Sequence, residues 1–133
     1  MQRRKFIKTS ALVSSMIVLN NPLNAMKKDQ SEEITHYVLF WLKKELSDEE
    51  IVKFTGFFEL LKTIPIVKTM KYGRPAITNK RDVVDNSFTY NLVATFENME
   101  AINIYENHPI HIDAIKKYSH YWEKVVVHDS VLG

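Results

Sequence analysis

The sequence has no cysteine and only three glycines in 133 residues. Without a thiol there is no disulfide, no thiolate metal ligand and no cysteine nucleophile, so folding requires no oxidising compartment. Three glycines do not supply the Gly-rich loop that cradles phosphates, which disfavours a nucleotide-type cofactor such as flavin. Nor does the sequence show an internal repeat or a low-complexity tract. The apolar run at Thr9–Leu19 is well short of the roughly 20 residues that span a bilayer.

What stands at the N-terminus instead is a three-part leader. Arg3-Arg4-Lys5-Phe6-Ile7-Lys8 is basic, the short apolar run follows, and Pro22 and Ala25 close it. This layout predicts a cleavable signal over residues 1–25. The paired arginines followed by Phe, Ile and Lys resemble a twin-arginine signal, the alternative being an ordinary Sec signal, and the expected location is the periplasm or otherwise outside a bacterial cytoplasm. With no Cys after the apolar run, no lipoprotein anchor is expected, and no stable membrane anchor remains after cleavage. Residues 1–25 hold four basic and no acidic side chains. The remainder carries 14 Lys+Arg against 16 Asp+Glu, a formal charge of −2. The basic balance of the whole chain therefore belongs to the leader and gives no reason to expect nucleic-acid binding.

About 108 residues remain after the leader, enough for one small domain. Residues 26–33 read as a polar tether and 34–131 as the domain. Ile34 to Leu42 reads as a strand that is apolar from Tyr37 onward. Ser47 with Glu50 three residues later predicts a capped helix start, and apolar residues continue at helical spacing from Ile51 to Leu61. Strands are expected at Val67–Ile77 and Ser87–Phe96, with a charged connection over Asn79–Asn86. Asn98 is placed to cap a helix through Tyr105, a short helix follows over Ile110–Tyr118, and Trp122–Val131 reads as a final strand. The order β-α-β-β-α-β is the ferredoxin-like α+β pattern. In that pattern the helices cover one face of the sheet, and the other face should alternate with polar residues. The first and last strands do not alternate, so a second copy of the sheet is expected to cover that face, giving a homodimer with a barrel-like interior.

The chemistry concentrates at Tyr105-Glu-Asn-His108-Pro109-Ile-His111. Pro109 disfavours helix at the residue before it, so one helix should stop near His108 and the next begin near His111. Helix ends bring side chains to the mouths of cavities, and Tyr and His are suited to proton transfer near neutral pH. The structural alternative is that Tyr105 packs and the histidines cap helix ends. For His36, on the first strand, a structural or orienting role toward backbone groups is favoured. His108-x-x-His111 with Asp113 nearby falls short of the three or four ligands of a zinc site, and Pro109 interrupts a single-helix presentation, so no metal is assigned. His120 and His128 read as surface residues.

Beyond these local patterns, the chain resembles the stress-responsive A/B barrel family over roughly residues 34–130. The match rests on His36-Tyr-Val-Leu-Phe, Ile64-Pro65, Tyr72-Gly73, Phe96-Glu97-Asn98, Tyr105-x-x-His108-Pro109-x-His111, and Trp122-Glu123-Lys124 leading to Asp129. The resemblance implies a dimeric α+β barrel; no cofactor is expected. One plant member of the family closes a polyketide by aldol condensation with a Tyr and a His, which match Tyr105 and His111, while the His of its first strand matches His36. It implies Tyr105, His111 and His36 as catalytic candidates; His108, Tyr72 and Trp41 are added as candidate ligand contacts. His111 would act as base, and Tyr105 would donate to an oxyanion. Some members hold a cation through backbone carbonyls near the equivalent of Ile64–Val67. The expectation is thus a cofactor-independent acid–base catalyst on a small carbonyl compound. The alternatives are a non-catalytic, stress-related binder of apolar ligands and a barrel like the neighbouring monooxygenases.

Overall fold

The computed structural model describes residues 32–132. The expected signal at 1–25 and all but the end of the tether lie outside the described residues. β1 (Ile34–Leu42) is followed by α1 (Asp48–Lys53) and α2 (Gly56–Leu61). β2 (Thr69–Gly73) and β3 (Tyr90–Phe96) come next, then α3 (Met99–Glu106), α4 (Pro109–Tyr118), a 3-10 turn at Ser119–Tyr121, and β4 (Trp122–Val131). The sheet order is β2-β3-β1-β4 with every neighbouring pair antiparallel, which is the ferredoxin-like α+β arrangement.

Local chemistry sets most of these boundaries. Ser47 accepts the Glu50 N–H while the Glu50 carboxylate accepts the Ser47 N–H, so a complete capping box starts α1. The single helix expected from Ile51 to Leu61 is instead two. At Thr55 and Phe57 the backbone bonds tighten to carbonyls three residues back, and the Thr55 hydroxyl takes the Val52 carbonyl. β2 is shorter than expected because Gly73 and Pro75 end the pairing. β3 opens at Tyr90 rather than Ser87, since the Ser87 N–H and hydroxyl both donate to the Asp85 carboxylate. Asn98 caps α3 through the Ala101 N–H.

The core lies between the helices and one face of the sheet. β1 alternates fully buried with half-buried positions, and Val38, Phe40 and Leu42 turn inward. Phe54, Phe57 and Phe58 from the α1–α2 segment meet Phe40 with ring centroids 5.5–5.7 Å apart, in edge-to-face geometry. Each such fully buried aromatic contributes about 1.5–3 kcal/mol of hydrophobic stabilisation. The opposite face of β1 presents Tyr37, Leu39 and Trp41, which are only half buried.

Candidate active site

Pro109 does more than stop a helix: it occupies the first position of α4, where its missing N–H costs nothing. The cap is His108, whose Nδ1 accepts the Ile110 N–H at 3.1 Å. α3 and α4 therefore meet at a corner, and the corner brings Tyr105 from one helix against His111 from the other, ring centroids 4.6 Å apart. His36 enters from β1, its ring 6.0 Å from that of Tyr105. All three line one cavity of about 520 Å³. The rest of its wall is mostly apolar, including Val38, Phe40, Phe57, Ile115 and Trp122. His36 and Phe40 are four residues apart on the same face of β1, so the cavity runs about 13 Å from its polar corner to its aromatic end.

The protonation of each group follows from its partners. Tyr105 is 1 % exposed, and its hydroxyl has no hydrogen-bond partner among the described residues. Burial pushes its pKa well above the ordinary phenol value, with Glu106 adding to the effect, so it remains a phenol and a donor. The His111 Nδ1 lies 3.1 Å from the Glu106 carbonyl, which only accepts, so Nδ1 carries the hydrogen. Nε2 is then the bare nitrogen of the neutral ring. Burial lowers the His111 pKa below the ordinary imidazole value; the Glu106 bond opposes this and nearby His36 adds to it. His111 is thereby held neutral and able to accept a proton near pH 7.

His36 is buried, and it satisfies a side chain rather than the backbone groups expected of it. The register places it directly opposite Asp129 on β4, and its Nδ1 lies 2.5 Å from the Asp129 Oδ1. Asp129 lines a neighbouring pocket of about 300 Å³, and Glu106 lines both pockets. Asp129 and Glu106 were not among the site residues expected from sequence. One signal did exist: the inward positions of β4 run Val125, Val127, Asp129, a charge where an apolar residue should stand.

The remaining ligand candidates lie elsewhere. His108 is engaged as the α4 cap and does not line the cavity. Tyr72 stacks on Phe58 and donates to Glu59 at 2.7 Å; it lines a separate open groove of about 780 Å³ whose one charged side chain is Arg74. Trp41 is on the far face of the sheet, donating to the Ser87 hydroxyl at 2.9 Å beneath the Lys124 ammonium. Strand alternation separates it from His36, because the two positions differ by an odd number and point to opposite faces. Among the described residues, no three His, Asp or Glu side chains converge as a metal site.

A four-stranded antiparallel sheet with a Tyr/His-cornered apolar cavity beneath its helices defines a ferredoxin-like α+β domain. The model of the Stress responsive A/B Barrel Domain (Dabb) matches residues 34–132, and the chain belongs to that family. Olivetolic acid cyclase of Cannabis sativa is 27 % identical over 97 residues, covering 72 % of this chain and 93 % of the cyclase. Hydroxynitrile lyase from Passiflora edulis superposes with a TM-score of 0.66 at 22 % identity, covering 77 % of this chain and 95 % of the lyase. A dimeric ferredoxin-like protein of unknown function from Bacteroides fragilis superposes with a TM-score of 0.60 at 22 % identity, covering 75 % of this chain and 96 % of its own.

Proposed function

We propose that this chain is a cofactor-independent acid–base catalyst acting on a small carbonyl compound that carries an apolar tail. The observation that carries the reading is Tyr105: a buried phenol without a hydrogen-bond partner among the described residues, set against a neutral histidine in the wall of a cavity. A buried hydroxyl left unpaired costs about 1–3 kcal/mol, a cost that a ligand oxygen removes. In the proposed reaction His111 Nε2 takes a proton from the carbon beside the carbonyl. The electron pair moves onto the carbonyl oxygen, and the Tyr105 hydroxyl hydrogen-bonds to the oxyanion that forms. The apolar end, at Phe40, Phe57 and Trp122, receives the tail. The relationship to olivetolic acid cyclase supports a cyclase-like reading of the site.

The apolar majority of the cavity wall also favours a second reading, capture of an apolar ligand without turnover. Mass spectrometry of ligands that co-purify with the protein, followed by incubation of those ligands with the protein, separates the two. Recovery of a carbonyl compound that is converted by the wild type and not by Tyr105→Phe or His111→Ala supports catalysis. A ligand recovered unchanged supports the binder, and consumption of oxygen during conversion supports the oxygenase alternative.

The working unit is a homodimer in this proposal. The outward face of the sheet carries Tyr37, Leu39, Trp41, Val93 and Val126 as an apolar centre bordered by Asn91, Thr95, Lys124 and His128, and an apolar centre with a polar border suits an interface. A second copy of the same face is its natural cover, and the dimeric relative from Bacteroides fragilis supports that arrangement. Export through the twin-arginine route to the periplasm is part of the same proposal, supported by Arg3-Arg4 and the residues that follow. Replacing both arginines by lysine keeps the charge and removes the motif, so precursor should accumulate in the cytoplasm; unchanged export would reject that route.

A further inference from the structure

We propose that Asp129 is a positioning residue of the site: its carboxylate holds His36 in the Nδ1–H tautomer and leaves Nε2 as a second proton acceptor for the cavity beside His111. The inference rests on the acid–base reading of the cavity and adds a residue and a role to it. Three observations carry it.

The first is the bond itself. His36 and Asp129 are separated by 93 positions in sequence, yet the β1–β4 register sets them directly opposite one another, with Nδ1 and Oδ1 2.5 Å apart. An ionised carboxylate is acceptor-only, so the hydrogen of the neutral imidazole lies on Nδ1. The second is burial. The His36 side chain is 9 % exposed and lines the cavity, whereas the Asp129 side chain is 46 % exposed. The carboxylate keeps its contact with water while fixing a ring that has almost none. The third is placement. Packing needs no charge there: β4 faces inward with Val125 and Val127 at the two preceding positions, and a further valine would continue the apolar wall. An aspartate at the third inward position is accounted for by the imidazole across from it.

The consequence is a site with one donor and two acceptors. Tyr105 offers an O–H, while His36 and His111 each offer a bare Nε2, the first fixed by a carboxylate and the second by the Glu106 carbonyl. A head group that satisfies all three presents one acceptor oxygen and two hydrogens that it can share or give up. That describes a hydroxylated or readily enolised carbonyl compound better than a simple ketone.

The test needs no substrate. Long-range proton–nitrogen NMR on the 15N-labelled, ligand-free protein at neutral pH reads which nitrogen of each histidine carries the hydrogen. His36 is expected as the Nδ1–H tautomer in the wild type. It should shift to mainly Nε2–H in Asp129→Ala, and in Asp129→Val, a residue that strand backbone favours. Ser130→Ala, one position along the same strand, should leave it unchanged. An Nε2–H tautomer or a doubly protonated ring in the wild type overturns the proposal, and so does an Nδ1–H tautomer that persists in both Asp129 variants. A purely packing role for Asp129 would alter the melting temperature without moving the tautomer. Because the tautomer is read without ligand, its failure leaves the Tyr105–His111 reading standing, and an inactive protein leaves the tautomer result in force.

Discussion

Tyr105 and His111 lie on different helices, on either side of Pro109, and their rings pack with centroids 4.6 Å apart. On one continuous helix, residues six apart would point about 120° away from each other and sit about 9 Å apart along the axis. The corner made by the His108 cap and Pro109 turns that separation into contact. This gives the donor and the base a fixed relation that does not depend on a ligand.

From that relation follows the behaviour of Tyr105→Phe. The hydroxyl makes no hydrogen bond among the described residues, so its removal breaks none and relieves the cost of burying it. The variant should melt at the wild-type temperature or a few degrees higher, since about 1 kcal/mol corresponds to 4–8 °C in a domain of this size. If turnover is present it should fall by about 10²–10³, as when a single oxyanion donor is lost. Thermal melting and a rate measurement on the same sample check both halves. A clear drop in melting temperature would assign the hydroxyl a structural bond instead.

His111 carries the pH dependence. Its pKa is lowered by burial, so the folded protein binds its proton less readily than the unfolded chain. Above the unfolded value of about 6.5 the group is neutral in both states and exerts no effect. As the pH falls through that value the unfolded chain takes up a proton that the folded one resists, and stability declines until the folded pKa is reached. Melting temperature should therefore fall on acidification below about pH 6.5, and His111→Gln should flatten that part of the curve. The acid limb of any activity should also lie below the ordinary imidazole value, since the base is active when neutral. An identical melting profile in His111→Gln would assign the acid sensitivity to other groups.

Much of the scaffold could be read from local sequence because local chemistry fixes it. The bounds of β1 and β4, the Ser47–Glu50 capping box and the Asn98 cap each depend on residues within a few positions of one another. What escaped was non-local. Asp129 meets His36 only through the β1–β4 register, whereas the outward direction of Trp41 was legible, because period-two alternation along β1 sets it opposite to His36. Tyr72 is drawn away by Phe58 and Glu59, a pairing of a strand with a helix that no short motif encodes. His108 illustrates the opposite case: the capping role weighed for it against chemistry is the one its geometry displays.

A sheet face covered by a second copy should be broken by charge. Leu39 sits at the centre of the outward face, between Asn91 of β3 and Val126 of β4. Leu39→Arg places a cation opposite its own symmetry mate wherever two such faces pack near the axis. Light scattering should give twice the chain mass for the wild type and a single chain mass for the variant. The cavity lies on the other face, so His36, Tyr105 and His111 should keep their NMR signatures in the monomer. A wild-type monomer at micromolar concentration would contradict the homodimer.

The junction between α2 and α4 sets how closely the helices can approach, and Gly56 is the residue that permits it. A Cβ at position 56 would collide with the Tyr118 hydroxyl oxygen and stand 3.3 Å from the ring carbon that bears it. Tyr118 has little freedom to withdraw, because its ring packs against Phe54, Phe57 and Tyr121 at centroid distances of 5.8–6.1 Å. Overpacking of this sort costs about 1–3 kcal/mol, offset by up to about 1 kcal/mol from the better helix propensity of alanine. Gly56→Ala should thus destabilise the domain by about 1 kcal/mol. Tyr118→Phe removes the atom that clashes, so the double variant should regain most of that loss and leave a measurable coupling between the two positions. Denaturant titration of the four proteins closes the cycle. Additive effects would mean that the helices separate rather than that the hydroxyl obstructs, and Ile115, on the cavity side of α4, would then shift with them.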